Sequence, residues 1–131
     1  MSRAFLKRNN TADMMNKEEL IQVGDTYLEA LRTGNYESVP FSSEILFESP
    51  VAGVFNGIEE TLGFLKPVSE GVLGIEKGDY FVADNKFFLT FKMKVVTPDG
   101  GETELLVADY IVMEDGKIAQ IRPYFFANPF A

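Results

Sequence analysis

The stretch Glu102–Phe126, ETELLVADYIVM followed by EDG and KIAQIRPYFF, reads as two strands joined by a tight turn, with Asp115-Gly116 as its hairpin dipeptide. Successive strand side chains point to opposite faces, so Leu105, Val107, Asp109, Ile111 and Met113 share one face. Asp109 is the only charge on it. If that face is the interior, desolvation favours the protonated carboxyl, which can donate a hydrogen bond to a ligand oxygen.

Working outward, Lys86–Thr97 alternates cleanly: Phe87, Leu89, Phe91, Met93 and Val95 face one way, and Phe88, Thr90, Lys92 and Lys94 the other. Before it, Leu73–Ala83 reads as a strand with a bend at Gly78, and Ile58–Val72 as a helix that Pro67 should end or kink. Val51–Gly57 reads as a loop, Ser43–Ser49 as a strand stopped by Pro50, and Asn35–Phe41 as a helical turn. The first long element is a helix over Lys17–Thr33. Asn16 and Glu19 form a capping box, Gly34 is the C′ residue, and Leu20, Val23, Gly24, Tyr27, Leu28 and Leu31 form a buried stripe. Residues 1–15 read as a flexible tail and 16–131 as one domain. The order is helix, strand, helix and antiparallel meander: an α+β fold with helices on one face of a curved sheet.

Composition narrows the chemistry. A net charge of −8 argues against nucleic-acid partners, which require clustered Lys and Arg. No run of apolar residues is long enough to span a bilayer, which predicts a soluble protein with no membrane partner. With no cysteine, disulfides, thiolate metal sites and a Cys nucleophile are excluded, and a cytoplasmic location is compatible. With no histidine, His–Cys zinc sites, Ser-His-Asp triads and His bases are excluded too. No metal or other cofactor is expected, and acid–base work falls to Asp, Glu, Tyr or Lys.

Four segments, TYLEALRTGN, ILFESPV, NGIEETLGFL and VADYIVMEDGKIAQIRPYFF, resemble the cone-shaped α+β superfamily of nuclear transport factor 2, ketosteroid isomerase and the SnoaL-like polyketide cyclases. The resemblance covers about residues 17–126 and implies a cystatin-like, curved mixed or antiparallel sheet with the N-terminal helices on its concave face. Ketosteroid isomerase is the most informative comparison. Its oxyanion-hole Tyr, in a Y-x-x-A-L context, falls on Tyr27, and its protonated Asp falls on Asp109. Its general base, in a V-E-D-P-V turn, falls on Ser49 of FESPV, and a Ser hydroxyl alone is far too weak a base. Alternation points Glu48 to the opposite face. Arg122 is likewise placed on the outer face, so the Asp-Arg-Asp set of the superfamily's epoxide hydrolases is incomplete.

The phase of alternation predicts a pocket lined by Phe47, Leu89, Phe91, Met93, Val107, Ile111, Ile121 and Phe125, with Phe64 from the second helix and Phe55 from the loop. Tyr27, Asp109 and Ser49 are its polar points. Such a pocket suits a hydrophobic steroid- or polyketide-like ligand with one carbonyl or phenol oxygen. The expected roles are an isomerase, cyclase or lyase polarising a carbonyl, a non-catalytic binding protein, or an interaction module. Phe88, Thr90, Leu106, Ala108, Tyr110, Val112 and Tyr124 make the outer sheet face apolar, which predicts a homodimer through it.

Overall fold

The computed structural model describes residues 15–128, so the expected tail lies outside the described residues except for Met15, which packs half-buried on the core. The chain runs α1 (Lys17–Thr33), β1 (Phe41–Ser49), β2 (Gly53–Asn56), α2 (Gly57–Glu70), β3 (Val72–Ala83), β4 (Lys86–Val96), β5 (Glu102–Glu114) and β6 (Lys117–Ala127). The strands form one sheet in the order β2-β1-β6-β5-β4-β3. β1 and β6 are parallel and every other pair is antiparallel, giving the mixed, curved, open sheet of the expected α+β class.

Local chemistry sets α1. The Asn16 side chain accepts the Glu19 N–H at 2.8 Å while Glu19 accepts the Asn16 N–H at 2.9 Å, and Gly34 closes the helix at φ 83°. Its buried face carries the stripe read from the sequence, with Ala30 added. Gly24 is needed there because the Tyr80 ring of β3 lies on it, and a Cβ would sit 2.5 Å from the Tyr80 oxygen. The Tyr80 hydroxyl donates to the Asp25 carboxylate at 2.7 Å, and Lys77 pairs with the same oxygen at 3.1 Å, fastening α1 to β3. Under Gly78 the β3–β4 register shifts between Lys77 and Tyr80, and the Thr90 hydroxyl accepts the Asp79 N–H at 2.8 Å. The bulge supplies the bend.

Three expectations change. Part of the Val51–Gly57 loop is the edge strand β2, paired with β1. It is too short and too exposed to show alternation. Asn35–Phe41 holds a hydrogen-bonded turn, Val39 N–H to the Tyr36 carbonyl at 3.2 Å, rather than a helical one, and Phe41 already begins β1. Of the two effects expected of Pro67, ending α2 does not occur, and the helix continues to Glu70, two residues short of the expected Val72. Proline removes the partner of the carbonyl four residues back, and that residue, Gly63, is exposed, so water can satisfy it.

At the β5–β6 hairpin, Asp115 (φ 54°) and Gly116 (φ 75°) both take the left-handed conformation of the expected two-residue turn. Asp109 lies mid-strand, flanked by Leu89 on β4 and Pro123 on β6.

Candidate functional site

Between the helices and the sheet lies a cavity of about 420 Å³ onto which Tyr27, Ser49 and Asp109 all open. The three come from α1, the end of β1 and the middle of β5, and they are 2%, 8% and 2% exposed. The rest of the lining is apolar. Asp109 is the only charged residue in it, and no Lys or Arg is present.

The electrostatics follow from that isolation. Burial pushes the Asp109 carboxyl up to about 7 from its ordinary 3.8, and its Oδ1 has no hydrogen-bond partner. Burial also raises the Tyr27 hydroxyl well above its ordinary value, helped by the nearby Asp109 and Tyr36. Both groups therefore favour their protonated, donating forms. Ser49 is committed differently. Its Oγ accepts the Val51 N–H at 3.3 Å and the Ala52 N–H at 3.1 Å, closing the turn after β1. With both lone pairs engaged, its hydroxyl proton remains to donate. With Asp109 protonated the cavity holds three donors, and the ionised Asp109 carboxylate is the one group in it able to accept a proton.

Glu48 does not reach the cavity. It lies on the outer face, where Arg122 donates to it from Nε (3.0 Å) and Nη2 (2.8 Å), and Gln120 from Nε2 (3.1 Å). The Arg122 guanidinium holds the Glu48 carboxyl below its ordinary range and stacks 5.9 Å from the Tyr110 ring centre. Among the described residues no cluster of Asp or Glu is arranged to hold a metal.

Of the apolar residues expected around the ligand, Phe47, Phe64, Phe91, Met93, Val107 and Phe125 line the cavity. Leu89, Ile111 and Ile121 do not: they are fully buried in solid core at the Ile111–Met113 end of the sheet. Phe55 stands behind the wall, stacked on Phe64 at 4.7 Å, and Phe47 completes the cluster 5.5 Å from Phe64 and 6.2 Å from Phe55. The sequence reading missed Leu31, Leu65, Val68, Val95, Leu105 and Pro123, among others. Leu105 and Val95 share the faces of Asp109 and Met93, so their alternation was a usable signal. Val68 lies four residues after Phe64 and three after Leu65, at helical spacing.

Residues 15–129 match the family described as Domain of unknown function (DUF4904). The chain belongs to that family. A search of the curated proteins gives no match. Solved structures share the fold. An NTF2-like protein from Anabaena variabilis is 20% identical with a TM-score of 0.73, over 85% of this chain and 89% of that one. An LEH-like epoxide hydrolase of M. tuberculosis is 16% identical, TM-score 0.70, over 83% and 84% of the two chains. The epoxide hydrolase/cyclase-like enzyme SalBIII, of pyran ring formation in salinomycin, is 13% identical, TM-score 0.75, over 85% and 93%. The DUF4904 chain thus has the nuclear transport factor 2-like fold. At these identities the likeness carries architecture and not chemistry. Among the described residues no helix is long and apolar enough to cross a membrane.

Proposed function

We propose that this DUF4904 protein is a SnoaL-like pocket protein that binds a neutral hydrophobic ligand by one oxygen. The observation that carries the reading is the unpartnered, buried Oδ1 of Asp109 in an apolar cavity shared with Tyr27. A carbonyl or phenol oxygen placed between the Tyr27 hydroxyl and the protonated Asp109 satisfies groups that are otherwise costly to bury. Ser49 adds a third donor. Steroid- and polyketide-like molecules fit the size and lining.

The same donors would stabilise charge developing on a carbonyl oxygen, which is the enzymatic option of an isomerase, cyclase or lyase. The lining supports the second reading, binding without turnover, because Asp109 is its only carboxylate and cannot donate to the carbonyl oxygen and accept the neighbouring proton in the same state. With Asp109 donating, a base would have to come from the substrate or from water. The epoxide hydrolase option is weakly supported, since Arg122 is paired with Glu48 outside the cavity. We place the protein in the cytoplasm and assemble it as a homodimer through the outer sheet face, where Phe81, Phe88, Tyr124 and Phe126 are exposed. An interaction module with an incidental cavity is the remaining alternative.

The test is a fluorescence titration with equilenin, a planar phenol, against the parent protein, Tyr27→Phe and Asp109→Leu. Binding in the parent that weakens about tenfold or more in each variant, the value of one or two lost hydrogen bonds, supports the reading. No binding to a folded parent protein would refute it.

A further inference from the structure

We infer that the cavity is also a receptor for hydrophobic ammonium ions, held by ionised Asp109 against the aromatic lining. This reading shares the cavity with the oxygen ligand and uses none of the donor chemistry, so the two can fail separately.

Three observations carry it. First, the Asp109 carboxylate, once ionised, has no counter-charge: Oδ1 is unpartnered, no Lys or Arg lines the cavity, and the chain has no His. A bound cation is the one species that supplies the missing charge. Second, Tyr27, Phe47, Phe64, Phe91 and Phe125 line the same space, and aromatic faces attract cations most strongly where water is excluded. Third, nothing else in the lining competes for the charge. The polar groups beside Asp109 are the Tyr27 hydroxyl from α1 and the Ser49 hydroxyl from β1; α2, β4 and β6 contribute only apolar side chains. Tyr27 is the one other titratable group, and burial keeps it neutral.

Ligand class then follows the state of Asp109. The protonated acid donates to an oxygen, and the carboxylate pairs with an ammonium. Because burial brings Asp109 to about 7, both states are populated in ordinary buffers. A carboxylate or phosphate ligand is disfavoured in either state, since no cation meets it.

The probes are benzyltrimethylammonium, whose charge is permanent, and neopentylbenzene, its neutral isostere. Affinities are measured by calorimetry at pH 5.5 and 8.5. The ammonium should bind at least tenfold tighter than the isostere at pH 8.5, and its own affinity should fall about tenfold or more at pH 5.5, as the competent ionised fraction falls. Asp109→Asn, its fold checked by circular dichroism, should abolish the preference. Equal affinities at pH 8.5, or no binding of either probe, would overturn the inference. So would an ammonium preference that survives in Asp109→Asn, which would mean general attraction to a protein of net charge −8.

Discussion

Asp109→Asn should change how stability depends on pH more than it changes stability at any one pH. In the folded chain the carboxyl titrates at about 7 against an ordinary 3.8, because it is buried without a partner for Oδ1. Between those values the native state holds a proton that the unfolded chain has released, so unfolding stability must fall as pH rises. Below 3.8 both states are protonated and above 7 both are ionised, so the curve is flat outside that window. At about 1.4 kcal/mol per pKa unit, the full loss is roughly 4 kcal/mol, of which roughly 3 falls between pH 5 and 8. Glu48 and Asp99 have lowered values, so they contribute slopes of opposite sign toward the acid end, common to the parent and the variant. Asn keeps the shape and donating capacity of the protonated acid and cannot ionise. Urea unfolding of both proteins at pH 5, 6, 7 and 8 gives the comparison. The parent should lose roughly 3 kcal/mol relative to Asp109→Asn across the series, so the variant becomes the more stable protein at pH 8. Parallel curves, agreeing within about 0.5 kcal/mol, would refute the argument by showing that the ionised carboxylate is solvated or paired.

Other substitutions probe separate parts of the structure. Thr61 is fully buried in α2 and its hydroxyl has no partner, so Thr61→Val should leave urea stability unchanged or raise it by about 1 kcal/mol, whereas a clear loss would reveal a hidden hydrogen bond. Gly24→Ala gains helix propensity of about 1 kcal/mol but drives a methyl into the Tyr80 ring, and the net should be a loss of about 1–3 kcal/mol in chemical denaturation. Adding Tyr80→Ala should remove most of that penalty, a non-additivity that a double-mutant cycle reads directly. Ser49→Asp brings a carboxylate to the cavity beside the two donors, and should give weak isomerisation of a β,γ-unsaturated ketone where the parent gives none. Bound ketone without turnover would show the new carboxylate to be out of line with the proton.

The limits of the sequence reading have one physical origin. Alternation reports which face of a strand a residue occupies, and on that question Asp109, Ser49, Glu48 and Arg122 were all legible. It carries no information about depth along the strand. Leu89, Ile111 and Ile121 share the inner face with Phe91 and Val107, yet lie where packing is solid, because space opens toward Leu105, Val95 and the last turns of α2. Where a cavity begins depends on how far α2 lies from the curved sheet, and no local period encodes that distance. β2 was missed for a related reason: its pairing with β1 is a tertiary fact that overrides local propensity, and the exposure of Gly63, also tertiary, lets α2 run past Pro67. Tyr27 shows the opposite case. Its helical phase placed it on the buried stripe, but only the approach of α1 to β5 decides between core aromatic and cavity donor. Among the described residues Tyr27 and Asp109 are both buried on the cavity with the Asp109 Oδ1 unpartnered, and the proposed function supplies that atom with a ligand oxygen.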